Sequence, residues 1–182
     1  MSGRFSEGRR EQPATATAHG LLAAADKAKL DLLYQALPSC RVYRNTSQAM
    51  ASGVSLAVAF NLERFDTHGF HDTAVNTSRL TVPAGLGGLY DIAVHAAWDA
   101  VGGGARRVFW VQLNGATNIG GYEPGNPPLA GSSFVIASFS TRYRLVPGDY
   151  VEVVAFQNSG GAVNIVAFPN YSPEFGLVRL GD

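Results

Sequence analysis

The run F-D-T-H-G-F-H-D at residues 65–72 places Asp66, His68, His71 and Asp72 within seven residues. Two imidazoles and two carboxylates so close together are the donor types that bind a divalent cation, if the segment closes on itself or meets a copy across a symmetry axis. The spacing is not that of a helical H-E-x-x-H, no Cys ligand is near, and connecting loops are naturally rich in Asp and His. We therefore read the segment as a polar loop and expect no metal and no other cofactor.

A second set of polar and aromatic residues, Asn118, Tyr122 and Asn126, lies in the Gly-, Pro- and Asn-rich stretch 115–131, read as a long loop. Tyr offers rigid contact area and Asn both a donor and an acceptor, a pairing suited to a glycan or another flat polar surface. A loop that merely covers the end of a sheet would have similar composition.

Catalytic patterns are missing. No serine sits in a G-x-S-x-G elbow, and Gly102-Gly103-Gly104 is followed by Ala and Arg instead of the G-K-S/T of a phosphate loop. The chain reads as a non-enzyme. Its 14 basic and 14 acidic residues cancel, so no net field draws it to nucleic acid or an anionic membrane. Charged residues are only 15%, against about a quarter in ordinary domains, while hydrophobics reach 46% and glycine 21 residues. That balance suits a β protein hiding surface between subunits. The single cysteine, Cys40, excludes an internal disulfide and reads as an inert thiol. The opening M-S-G-R-F-S-E-G-R-R-E has no apolar signal-peptide core, and no stretch approaches the roughly 20 apolar residues of a membrane span. Synthesis in the cytoplasm without membrane insertion is the expectation.

The elements that would position these residues fall in three parts. Residues 1–19, with Arg4, Phe5, Arg9 and Arg10 among Gly, Ser, Gln and Thr, carry too little apolar surface for a core and read as an extended anchoring arm. Residues 20–38 read as a helical neck: strong helix formers run over 24–37, Leu30, Leu33 and Leu37 form one stripe, and Pro38 ends it. A stripe this short needs a partner, either symmetry mates in a bundle or its own domain. In residues 39–182 the hydrophobic period becomes two. Val54, Leu56, Val58, Phe60 and Leu62 alternate with small or polar residues, as do Tyr90, Ile92, Val94, Ala96 and Trp98, and further strand-like runs cover 106–114, 134–144, 150–157, 163–168 and 175–180. Eight to ten short antiparallel strands without an intervening helix predict an all-β sandwich or jelly roll.

The run L-T-V-P-A-G-L-G-G-L-Y-D-I at 80–92 resembles the aromatic-Thr-x-Pro…Gly-x-Tyr-x-Phe signature of the complement component one q heads and the tumour necrosis factor superfamily. Leu80 and Ile92 replace the usual aromatics, and two extra residues precede Gly88. The segments G-D-Y-V-E-V-V-A-F-Q-N-S-G-G at 148–161 and S-P-E-F-G-L-V-R-L-G near residue 180 look like the form of this head common in bacterial viruses. The resemblance covers about residues 40–182. It implies a ten-stranded jelly roll that trimerises around a threefold axis, with Tyr90, Trp98, Phe156 and Phe175 as the aromatics meeting at the centre. The segment T-A-T-A-H-G-L-L-A-A-A-D-K-A-K-L-D at 15–31 is similar to a stretch frequent in phage tail-fibre and related virion proteins. Together these imply a homotrimeric structural virion protein of a bacteriophage, made in the host cytoplasm and bound to capsid or tail proteins through its arm. Attachment to a host-surface glycan as a tail or head fibre is one role so implied. Capsid decoration without receptor binding is another, and a free bacterial ligand-binding module a third.

Overall fold

The computed structural model describes residues 23–33, 37–101, 103–123 and 134–182. Residues 1–36 and 37–182 form separate units. The anchoring-arm residues Arg4, Phe5, Arg9 and Arg10 lie outside the described residues, as does Asn126.

In the first unit, helix α1 spans Ala24–Leu33. The amides of Asp26 and Lys27 donate to the Ala23 carbonyl and start the helix, and the Asp26 carboxylate sits in the first turn, where the helix dipole favours negative charge. Leu30 is exposed on the helix, and the side chain of Leu33 lies outside the described residues. Leu37, expected to complete the stripe, is not helical and is exposed. The residue before a proline is disfavoured in the helical region, which accounts for Leu37 standing outside a helix ahead of Pro38.

The described residues of the second unit form twelve strands: β1 Ser39–Tyr43, β2 Gln48–Met50, β3 Leu56–Ala57, β4 Leu62–Asp66, β5 Arg79–Thr81, β6 Gly88–Trp98, β7 Arg107–Leu113, β8 Thr117–Tyr122, β9 Val135–Leu145, β10 Tyr150–Gln157, β11 Val163–Ile165 and β12 Glu174–Gly181. They form two antiparallel sheets. The larger runs β2-β11-β6-β12-β1-β4, with β9 on the other edge of β6; the smaller runs β3-β10-β7-β8, with β5 also on β10. This is the expected jelly-roll architecture, with more and shorter strands than the sequence alone marks out.

Alternation fixes which side chains enter the core between the sheets. Tyr90, Ile92, Val94, Ala96 and Trp98 of β6 point inward to meet Phe109 and Val111 of β7 and Val151 and Val153 of β10. Trp98 packs on Phe109 with ring centroids 4.9 Å apart, Phe60 on Phe175 at 5.6 Å, and Phe70 meets Tyr90 edge-on at 6.1 Å. Each large side chain enclosed here contributes roughly 1.5–3 kcal/mol of burial free energy.

Two sequence expectations are corrected. The alternation from Val54 to Leu62 is not one strand: β3 pairs with β10 in the smaller sheet, β4 with β1 in the larger, and residues 58–61 cross between them. Val58 and Phe60 still point into the core, so the period marks burial while the ladder breaks at the corner. Nor is 115–131 a loop throughout, because residues 117–122 form β8, hydrogen-bonded to β7. Asn114 and Gly115 both take positive φ, 51° and 67°, the backbone that joins antiparallel strands through a tight Asn-Gly turn.

Candidate functional site

The outward face of the larger sheet carries the most distinctive surface of the β unit. Cross-strand register places Arg41, Gly176, Ala93 and Ser140 in one row, with Phe65 beside Arg41 at its end. The next row aligns Tyr43, Glu174, His95 and Ser138, and on the other side lie Ser39, Val178, Asp91 and Arg142. Gly, Ala and Ser down the middle leave a shallow groove of about 710 Å³. Phe65, 48% exposed, and Ile136, 50% exposed, stand at its margins.

Charge is embedded in this face. The Glu174 side chain is only 3% exposed, yet one carboxylate oxygen accepts from Arg64 Nη2 at 2.9 Å and Nε at 3.2 Å, while the other accepts from Arg41. Arg142 Nε donates to Asp91 Oδ1 at 3.3 Å on the far row. A nearly enclosed carboxylate needs such partners to offset the water it has lost. The Arg64 guanidinium also lies over the Tyr43 ring, 3.9 Å from its centroid. None of these pairs has a local signal in the sequence: Glu174 is 133 residues from Arg41 and 110 from Arg64.

Of the aromatics expected at a threefold centre, Tyr90, Trp98 and Phe175 are buried between the two sheets of the single chain. Phe156 belongs to the other sheet; it is half-buried on that sheet's outward face, with the Arg106 guanidinium 5.5 Å above its ring. The alternation that made these aromatics conspicuous is the alternation that turns most of them inward.

The Asp/His segment is occupied by its own loop. Asp66 Oδ1 accepts from the amides of His68 and Gly69 at 3.1 and 2.8 Å, and Oδ2 from the amide of His71 at 2.8 Å. Asp72 Oδ1 accepts from the amides of Ala74 and Val75, which hold its carboxyl below the usual carboxylate range. His71 is engaged through both ring nitrogens, by Glu63 Oε1 at 3.0 Å and the Thr77 carbonyl at 3.2 Å. Among the described residues no group of three or more His, Cys, Asp or Glu is placed to hold a metal ion.

Asn118 and Tyr122 sit on β8 and are exposed, Asn118 accepting from Gln112 Nε2 at 3.3 Å. Beside Tyr122, Glu123 pairs with Arg106, whose Nη2 donates at 3.0 Å, and this partner holds the Glu123 carboxyl below its ordinary range. Cys40 is buried, and burial together with the charges of Asp66 and Glu63 raises its thiol pKa far above the ordinary value, so the thiol stays protonated. Among the described residues no helix is long and apolar enough to cross a membrane.

No protein-family model and no curated protein sequence matches the chain. Solved structures do. The globular domain of zebrafish complement 1qA is similar over 80% of this chain and 98% of its own, at 18% identity and a TM-score of 0.55. The domain is a TNF-like jelly roll. Murine APRIL matches over 80% of this chain and all of its own at 10% identity, with a TM-score of 0.59. Eiger TNF from S. frugiperda matches over 81% of this chain and 95% of its own, at 16% identity and a TM-score of 0.54. At such identities the likeness is one of fold.

Proposed function

We propose that the chain is a non-enzymatic, homotrimeric structural protein of a bacteriophage virion, in which the jelly roll is the outward knob, residues 20–38 the neck and residues 1–19 the anchor to capsid or tail proteins. The observation that carries the assembly is the outward face of the larger sheet. Its Gly176, Ala93 and Ser140 strip admits close approach of another copy, Phe65 and Ile136 supply apolar margins, and the Glu174 cluster supplies orientation. The likeness of residues 15–31 to virion-protein necks supports placement on a particle. Asn118, Tyr122 and Asn126 then offer contact to a host surface or glycan.

Light scattering tests the assembly: the full chain should give three times the 19.3 kDa monomer mass. Ala93→Arg, which puts a long charge on an exposed strand position, should give a folded monomer. A monomeric parent would overturn the reading. Placement is tested separately, since deletion of residues 1–19 should abolish incorporation into particles while leaving the trimer intact. Substituting Asn118, Tyr122 and Asn126 together should lower host adsorption; unchanged adsorption, with particles made fragile by removing the protein, favours capsid decoration instead.

A further inference from the structure

A second hollow, about 330 Å³, lies where the turn after β1 meets the turn between β11 and β12. Tyr43, Arg44, Asn45 and Arg64 form one side, and Phe168 and Asn170 the other. Its walls are fixed before any ligand arrives. The amide of Phe168 donates to the Ser172 carbonyl at 2.8 Å, closing a tight turn in which Asn170 takes φ 70°. The amide of Arg44 reaches the Pro173 carbonyl at 3.2 Å, and the amide of Ala167 reaches Ser47 Oγ at 3.1 Å, tying the two turns together. Tyr171 stacks on the Phe168 ring at 5.1 Å and Phe134 meets it edge-on at 4.8 Å, so that aromatic wall is braced.

Charge and hydrogen-bonding capacity are in surplus here. Arg44 donates from Nε to the Thr46 carbonyl at 2.9 Å and from Nη1 to the Ala59 carbonyl at 3.3 Å. Among the described residues no carboxylate pairs with it, and its Nη2 makes no bond to the protein. Arg64 and Arg41 share one carboxylate, Glu174. Of the two guanidinium groups that line the hollow, Arg64 is therefore already answered by a carboxylate and Arg44 carries the charge left over. Asn45 accepts from Asn61 Nδ2 through its amide oxygen, and among the described residues its own Nδ2, the Tyr43 hydroxyl and the Asn170 side-chain amide have no hydrogen-bond partner.

We propose that this hollow binds a carboxylate-bearing sugar, a hexuronate alone or as a unit of an acidic polysaccharide. The Arg44 guanidinium takes the carboxylate, Asn45, Asn170 and Tyr43 address the ring hydroxyls, and the braced Phe168 side provides the apolar wall that a pyranose face covers. A small inorganic anion would leave most of the volume and the amide donors unused. A neutral sugar would leave the Arg44 charge unanswered. The site is built from residues of one β unit and does not rest on the virion placement, while Arg64 joins it to the Glu174 cluster on the proposed trimer face.

The test is saturation-transfer NMR and calorimetry on the full-length protein with glucuronate and a polyuronate oligomer, against glucose and inorganic phosphate as counter-probes. Binding at millimolar concentration to the uronates and not to glucose or phosphate is the expected result. Arg44→Gln should weaken it at least tenfold. Asn170→Gly, which keeps the left-handed backbone while deleting the amide, should weaken it severalfold at unchanged melting temperature, and so covers the case in which loss of Arg44 disturbs the turn. No uronate binding, equal binding of phosphate, or full binding by a folded Asn170→Gly protein would each overturn the assignment.

Discussion

Glu174 is the residue on which the outward face of the larger sheet turns. Its carboxylate is almost enclosed, but Arg41 and Arg64 that neutralise it are partly open to water, which tempers what the pairing contributes. Glu174→Ala should cost about 2 kcal/mol in urea unfolding, because it leaves two guanidinium groups facing each other without their shared partner. Asp72 titrates differently. Amides of Ala74 and Val75 depress its folded pKa below the unfolded value, so its contribution is complete above the unfolded value and is lost as pH falls through the folded one. Acid titration followed by NMR should show those two amide signals moving together below the usual carboxylate range. Asp72→Asn, still an acceptor but no longer titrating, should abolish the movement. Arg107 is a residue that no local pattern reveals: it is wholly buried, has no carboxylate partner among the described residues, and burial lowers its pKa. Its guanidinium donates to the Val101 and Arg106 carbonyls, while its Nε and the neighbouring Trp98 Nε1 have no hydrogen-bond partner among the described residues.

Among the elements, the β7–β8 hairpin depends on two consecutive residues with positive φ. A Cβ on Gly115 would lie 2.9 Å from the Tyr150 hydroxyl, and Asn114 braces the turn by donating from Nδ2 to Asp149 Oδ1 and accepting from the Tyr150 amide. Gly115→Ala should therefore lose about 1 kcal/mol of stability, read from the urea midpoint. An Asn-Gly pair is a hairpin signal that the sequence reading passed over, because the glycine- and proline-rich run after it makes the whole stretch look like a loop. The strands at 150–157 and around 90–98 were readable because each stays in one sheet, with one face on the core. Residues 54–62 defeated the same reasoning, since a corner between sheets preserves burial period and destroys pairing. The outward-face site was not readable at all: Gly176, Ala93 and Ser140 become neighbours only through register, and small residues carry no signal alone.

At the scale of the whole molecule, the smaller and larger sheets share one core, and almost every pairing joins residues distant in sequence. Phe175, from the last strand, packs on Phe60 at the crossover between sheets, so Phe175→Ala should cost about 3–5 kcal/mol by calorimetry and destabilise both sheets in a single transition. The position of β12 has a consequence for biosynthesis. It lies in the interior of the larger sheet, hydrogen-bonded to β6 on one side and β1 on the other. The strands that flank it, made far earlier, emerge from the ribosome with a gap between them and their hydrogen-bonding edges open. Until residues 174–181 leave the exit tunnel, those edges are available to neighbouring nascent chains, and long-range pairing of this kind is slow. Nascent chains stalled with residue 173 at the tunnel mouth should be cut readily by protease, while chains stalled a tunnel length beyond residue 181 should resist. A chain that closes its sheet last, from the middle, gives translation and chaperones control over when the knob comes into existence.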